Sequence, residues 1–537
     1  MKFLGGKWGY SAWGVALVVI CPLGVILTAW ITPEWAVWRH LVDTILGELL
    51  LNTVLLMVGV AVGVLVLGVT LAWLTAMCTF PGRGFFDWAL ILPLAIPAYV
   101  LAFAALGFLD YSGPLQSWLT ARFGPRGYWF PEMRSPGMTI AVLTLTLYPY
   151  VYMLARAAFL NQGRRMLEAS RILGRTPWGA FLHAALPMAR PAIAAGCALA
   201  VMEALADFGA VSTLNYNTFT TAIYKAWFGL FNIEAAAQLA SLLLLFVGMA
   251  LVLEQHMRGR ARYFSNDGTH TGTRVPLRTL PAFFATTFAG IVLTLAFILP
   301  LGQLLVWVWQ TKLLDLNTRY WELVSHTLIL GGGAALLTTT GALFLGIAHK
   351  QRPGISLQTA VRLATLGYAM PGSVLAVGVM LTVVWFDKGV TVLFQGWFGT
   401  TSGNWVSGTL LALLFAYLVR FLAVAFGPVN SGLERIRPSI PEAAQSLGSS
   451  NREIVRRIYL PILRPSLLTA LLLVLVEVMK EMPATLLLRP FGWDTLATRI
   501  YEMTSEGEWQ RAALPAVTLV LAGMVPVILL VRKTMRH

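Results

Sequence analysis

Four carboxylates stand where carboxylates are costly. Glu203 and Asp207 lie four residues apart inside one apolar run, and Glu477 and Glu481 repeat that spacing inside another. Residues four apart share a helix face, so each run turns a pair of acids to one side. At about 1.5 Å per residue, Glu203 lies roughly 18 Å from the start of its run at Pro191, near mid-bilayer, with Asp207 about one turn further out. A charge at that depth costs roughly 2.5–3.5 kcal/mol on insertion scales, and such residues face an interior cavity or a counter-ion. Carboxylate oxygens are hard donors that suit hard metal ions. The chemistry this predicts is transient cation contact at Glu203, Asp207, Glu477 and Glu481, with no stable metal site, because a conduit must release its cargo. Such a lining disfavours sulfate, phosphate or molybdate. Two plainer readings stand beside it: structural ion pairing, with Lys480 adjacent to Glu481, and contact of the outer pair with a periplasmic partner. Arg420, inside Tyr417-Leu418-Val419-Arg420-Phe421, either snorkels, pairs with a carboxylate or lies close to the cytoplasmic end.

A second pattern is polar and occurs twice. Glu168-Ala169-Ser170-Arg171-Ile172-Leu173-Gly174 leads to Leu186-Pro187, and Glu442-Ala443-Ala444-Gln445-Ser446-Leu447-Gly448 leads to Leu460-Pro461. The acid favours a helix start, and the glycine allows a positive φ and a sharp turn. Each copy therefore reads as two short helices joined by a tight turn. Two copies at identical spacing read as two equivalent docking points for a soluble partner.

The elements that position these groups are apolar helices. Of 537 residues, 57% are hydrophobic and 12% charged. Twelve spans are expected, at 13–31, 50–78, 86–109, 137–160, 191–214, 235–254, 284–308, 326–348, 360–384, 405–427, 465–488 and 512–531. With both termini on one side, that side carries 26 of the 39 Lys and Arg residues. The positive-inside rule then places the termini and both polar loops in the cytoplasm. The formal charge of +15 has this topological source and does not call for nucleic acid. Cys21, Cys78 and Cys197 fall inside spans and make neither a metal spacing nor a disulfide framework.

Adding 274 to a first-half position gives its second-half partner: Asn52-Thr53 and His326-Thr327, Ile96-Pro97 and Met370-Pro371, Arg190-Pro191 and Arg464-Pro465, Glu203 and Glu477. The offset becomes 277 where Thr-x-Ile-Tyr recurs at Thr221 and Thr498. The chain is therefore expected to be an all-α integral membrane protein of two parallel six-helix repeats. The first half is 1–254 with its loop at 160–190, the linker 255–283, and the second half 284–537 with its loop at 428–464. Repeats of even helix number are related by an axis along the membrane normal, and a pathway along it is expected.

Glu-Ala-x-x-x-x-Gly followed by Leu-Pro is similar to the Glu-Ala-Ala loop of ABC importer permeases. The resemblance extends over essentially the whole chain, as two fused permease halves of type I architecture. It implies that Glu168, Ala169, Gly174 and Pro187, with Glu442, Ala443, Gly448 and Pro461, belong to coupling helices that dock on a cytoplasmic ABC ATPase, present in two copies. Lys480-Glu481-Met482-Pro483-Ala484-Thr485 resembles the fused permeases of ferric-iron importers, which receive iron from a periplasmic binding protein. By that resemblance 215–234 and 489–511 face the binding protein, and the chain is a multi-pass protein of a bacterial inner membrane working by alternating access. No G-x-x-x-x-G-K-[ST] loop occurs in the sequence. ATP and Mg therefore belong to the partner, and no cofactor, catalytic residue or nucleic-acid partner is expected here. The same machine importing thiamine or another small cation is the nearest alternative. A secondary transporter of six plus six helices is the alternative of another class, and it leaves the paired loops unexplained.

Overall fold

The structure, a computed structural model, describes residues 5–31, 35–124, 127–160, 174, 176–258, 274–311, 315–351, 354–398 and 405–535. Helix dominates because lipid offers no partner to a backbone amide, so a spanning segment must satisfy its own hydrogen bonds. Among the described residues eleven helices are long and apolar enough to cross a bilayer, and a shorter apolar helix, Ala12–Thr28, precedes them. The all-α membrane fold expected above is the one observed.

The helices that matter below are, in the first half, α1 (Gly5–Thr28), α2 (Gly47–Met77), α3 (Arg83–Ala89), α4 (Ala98–Leu109), α5 (Pro136–Ala158), α6 (Leu186–Ala206), α7 (Gly209–Thr213) and α8 (Ile233–Arg258). The second half has α9 (Thr279–Leu293), α10 (Leu299–Gln310), α11 (Thr318–Gln351), α12 (Ile355–Thr365), α13 (Gly372–Phe398) and α14 (Leu410–Glu434). It continues with α15 (Ser439–Ser446), α16 (Asn451–Ile454), α17 (Leu460–Lys480), α18 (Pro483–Leu488), α19 (Leu496–Ser505) and α20 (Trp509–Met535).

Four spans expected to be continuous are broken. Expected spans 86–109 and 360–384 each contain a 3-10 turn, Leu92–Ala95 and Leu366–Ala369, before the next helix starts. Pro97 and Pro371 explain the break: proline lacks an amide and pushes the preceding residue out of the helical region. Ile96 (φ −91°, ψ 118°) and Met370 (φ −79°, ψ 128°) are accordingly extended. Expected spans 191–214 and 465–488 break at Asp207 and Glu481, described below.

The repeat is visible in hydrogen bonds. Asn52 Nδ2 donates to the Asn217 carbonyl at 3.0 Å, and His326 Nδ1 lies 3.2 Å from the Asp494 carbonyl. Thr221 Oγ1 accepts from the Thr218 amide as Thr498 Oγ1 accepts from Thr495, both at 2.9 Å. Asn215 and Gly492 both take positive φ, 53° and 80°.

The compact units cut across these repeats. One comprises Met1–Arg39, Ile223–Leu242 and Leu316–Arg499; the other comprises His40–Ala222, Leu243–Asp315 and Ile500–His537. In the first unit α1 packs on α11, α12 and α13, and α14 packs on α11 and α17. In the second, α2, α5 and α6 pack together, and α10 packs on α20 and α4. Within the second unit Cys78–Thr79 (β1) pairs in parallel with Val275–Pro276 (β2), tying the end of the expected linker to the end of α2.

Small residues let α2 and α5 approach. A Cβ added at Gly63 would lie 2.4 Å from Thr144 Oγ1, and one at Gly68 would lie 2.6 Å from Val151 Cβ and 3.1 Å from the Tyr148 carbonyl. Close backbone approach is how membrane helices associate without a hydrophobic driving force. Gly68→Leu is expected to cost about 1–3 kcal/mol through overpacking. It should lower the apparent unfolding temperature in detergent. Gly84→Leu, at a position with no atom within 4 Å, should leave that temperature unchanged. Equal temperatures for the two variants would show that this approach is not tight.

Candidate functional site at the broken helices and the polar loops

Each half stops a membrane helix at an acid and starts a short helix after it. α6 ends at Asp207 (φ −67°, ψ 130°), and α17 ends at Glu481 (φ −68°, ψ 113°). The amides of the following turn have no helical partner, and a carboxylate both accepts from them and complements the helix dipole. Asp207 Oδ1 accepts from the amides of Ala210 (2.8 Å) and Val211 (3.2 Å), capping α7. Glu481 Oε1 accepts from the Ala484 amide (3.0 Å), capping α18, where Pro483 fills a first-turn position whose amide would be unpaired anyway. The two acids' own carbonyls are held alike, by Thr220 Oγ1 at 2.8 Å from Asp207 and Thr485 Oγ1 at 2.7 Å from Glu481.

The halves then diverge. Arg420 on α14 brings Nε within 3.2 Å of Glu481 Oε2 and donates from Nη1 to the Met370 carbonyl at 2.9 Å. Both residues are buried, Arg420 at 8% and Glu481 at 6% exposure. Of the three expectations for Arg420, pairing with a carboxylate is the one observed. Its guanidinium joins the two breaks of the second half, at Met370-Pro371 and at Glu481. Gly372 makes room, because a Cβ there would lie 2.5 Å from Glu481 Oε1 and 3.1 Å from Arg420 Nη1. Tyr417, one turn before Arg420, shares a 2.7 Å hydrogen bond with Thr485. At the position equivalent to Arg420 the first half has Thr146, whose hydroxyl donates to its own helix at Val142 (2.9 Å).

The four acids thus fall into two kinds. Asp207 and Glu481 cap the helices that follow the breaks, while Glu203 and Glu477 lie one turn before them on α6 and α17, half-buried as Asp207 is. Among the described residues no group of three or more His, Cys, Asp or Glu side chains is placed to hold a metal ion.

The polar loops are described unequally. Glu168 and Ala169 lie outside the described residues. Gly174 has φ +80°, and Pro187 sits in the first turn of α6. The second copy is described throughout. Glu442 and Ala443 are exposed on α15. That helix closes with Ser449 N–H donating to the Ala444 carbonyl (3.0 Å) and Gly448 N–H to Gln445 (2.9 Å). This is the Schellman arrangement, which needs a left-handed residue after the cap, and Gly448 supplies φ +86°. Ser450 and Glu453 then form a reciprocal capping box for α16. The Ser450 amide and hydroxyl hold the Glu453 carboxyl below its usual pKa. Pro461 lies in the first turn of α17. Ile440 and Leu447 are exposed, at 42% and 87%.

Both halves therefore carry the same broken helix, and both copies of the loop turn at a left-handed glycine. A sequence model for binding-protein-dependent transport system inner membrane components matches the chain twice, over residues 65–259 and 339–534. The chain belongs to that family. The matches begin 274 residues apart, at the repeat offset, so the protein is a permease in which two family units are fused in one multi-pass inner-membrane chain. It is similar to the Fe(3+)-transport system permease protein FbpB 2 of Haemophilus influenzae, 31% identical over 493 residues and 90% of each chain. It also resembles the ferric transport system permease protein FbpB of Actinobacillus pleuropneumoniae, 24% identical over 82% of this chain and 64% of that one. The sulfate transport system permease protein CysW of Escherichia coli is 30% identical over 216 residues, 39% of this chain.

Sequence reasoning missed the Met370 carbonyl and Gly372 as parts of the site. The signal was available as an arginine inside an apolar span and a Met-Pro equivalent to Ile-Pro 274 residues earlier. Removing one partner of a buried ion pair is expected to cost on the order of 3–5 kcal/mol. Arg420→Met should therefore lower the unfolding temperature of the permease in detergent markedly, and Arg420→Met with Glu481→Gln should recover part of that loss. Additive effects of the two changes would show that the pair is not coupled. Gly448→Val should cost about 1–2 kcal/mol, because a left-handed backbone is strained for any residue with a Cβ. Limited proteolysis within 439–459 would report it, and an unaltered cleavage rate would contradict it.

Proposed function

We propose that this permease is the membrane subunit of an ATP-driven importer that receives ferric iron from a periplasmic binding protein and passes it inward by alternating access. The observation that carries the cargo is identity of 31%, across nine-tenths of both chains, with a protein named for Fe(3+) transport. The similarity to 2-aminoethylphosphonate and sulfate permeases covers only 39% of the chain. Half-buried Glu203 and Glu477 also favour a cation over an oxyanion.

Two cytoplasmic ABC ATPase subunits dock on the loops 160–190 and 428–464, through Glu168, Ala169 and Gly174 in one and Glu442, Ala443 and Gly448 in the other. What supports this is the exposed helix α15 with Ile440 and Leu447 at its surface. ATP and Mg reside on those subunits, and this chain contributes no cofactor. Both termini are cytoplasmic, as the charge distribution favours. Along the cargo route Glu203, Glu477 and Asp207 touch the cation transiently. Glu481, with both oxygens engaged by Ala484 and Arg420, holds the helix break instead. Exchange of ligands rather than stable coordination suits a conduit that must let go.

The test is uptake of radioactive ferric iron by cells lacking the permease. Wild type should restore it, and Glu203→Gln with Glu477→Gln should reduce it at least about tenfold, with normal membrane levels. Equal restoration by both chains would keep iron as cargo and remove the carboxylates from the route. No uptake with wild type and its own binding protein would move the cargo to another cation, thiamine first.

A further inference from the structure

One ammonium group holds both ends of the second loop. Lys350, in the last turn of α11, donates from Nζ to the carbonyls of Leu433 and Ile436, the latter at 2.5 Å. The same Nζ lies 6.0 Å from the centre of the Tyr459 ring. Leu433 and Ile436 straddle the end of α14, where the last carbonyls lack helical partners and a cation is favoured. Tyr459 is the residue before α17, and its ring face attracts a cation. Everything between, 437–458, is the loop that carries α15, the Gly448 turn and α16. α11 can reach these stems because Gly346, one turn earlier, has no side chain; a Cβ there would lie 2.7 Å from Leu433 Cδ1.

The first half braces its corresponding end by unrelated chemistry. Ala76, fully buried, stands at the position equivalent to Lys350. There Arg156 at the end of α5 makes a two-pronged pair with Asp87 of α3, Nε to Oδ1 and Nη2 to Oδ2, both 2.6 Å. The Tyr152 hydroxyl donates to the Asp87 carbonyl at 3.0 Å. Val361 and Asn430 occupy the positions equivalent to Asp87 and Arg156, so neither brace is a copy of the other.

We infer that Lys350 is a positioning residue of the transport cycle, through which movement of the second loop is passed to α11. The inference rests on the reading that this loop is where an ATPase docks. It assigns the two loops different mechanical connections to their halves, so loss of Lys350 acts on the second loop alone.

The test uses full-length permease in lipid nanodiscs, alone and with its co-expressed ATPase. Hydrogen–deuterium exchange in Lys350→Met should speed up roughly tenfold over 439–459 and stay unchanged over 177–190, because removing the brace lowers local stability. Lys350→Arg should remain within about twofold of wild type, since a guanidinium can still reach both carbonyls. In the complex, Lys350→Met should retain bound ATPase while stimulation of ATP hydrolysis by the loaded binding protein falls at least about fivefold, as expected of a coupling residue and not of a docking one. Tyr459→Leu should shift exchange in the same direction by less, and it serves as the second variant if Lys350→Met does not fold. Unchanged exchange over 439–459, or unchanged stimulation, would overturn the inference. The exchange measurement needs neither cargo nor ATPase. Failure of wild type to retain any ATPase would therefore count against the proposed function and leave the brace itself to be judged by exchange.

Discussion

A helix that stops inside a bilayer leaves amides that no water can reach, and each unpaired group costs several kcal/mol. This constraint governs the architecture around both breaks. Asp207 and Glu481 accept from the amides that the breaks expose, Thr220 and Thr485 hold the carbonyls on the other side, and in the second half Pro483 occupies a position where an amide would be wasted. An acid at the break thus satisfies amides that would otherwise be unpaired where one helix ends and another begins at depth. The same groups that suggest a route for a cation first make the irregular backbone possible.

The symmetry of the sequence is stronger than the symmetry of the interactions. Both halves share their turns, their threonine clusters and their offset, yet Arg420 faces Glu481 in one while Thr146 stands at the equivalent position in the other. At this place the second half carries a buried charge pair that ties Met370 to Glu481, and the first has a hydroxyl bonded to its own helix. Arg420 thus links α14 to both breaks of its half, whereas the Thr146 hydroxyl makes its bond within its own helix. Two fused copies can diverge in this way because one chain no longer has to serve both roles.

Much of this was legible in the residues. Apolar run length located the membrane segments, the 274-residue offset paired the halves, and Glu-Ala with a following Gly marked the loops. Family matches beginning at 65 and 339 follow the same offset. What composition could not reveal was interruption within a span. Periodicity averages over a window, so the four residues at Leu92–Ala95 or Leu366–Ala369 vanish into their surroundings, although Pro97 and Pro371 signalled them. Partner choice was equally hidden. Lys480 adjoins Glu481 in sequence, but neighbours along a helix point to different sides, and the cation that meets Glu481 comes from a residue 61 positions earlier, Arg420.

The packing of α1 has a consequence for how the protein is made. This helix ends at Thr28, yet its packing partners α11, α12 and α13 begin only at Thr318. Translation at about 5–20 residues per second separates these events by roughly 15–60 s. During that interval α1 sits in lipid without these partners, its backbone satisfied by its own helical hydrogen bonds. The other compact unit likewise waits for α20, which begins at Trp509 and packs on α10 and α4. Neither unit can close before its late helices are made, so the insertion of α1 and its packing are separate stages in time.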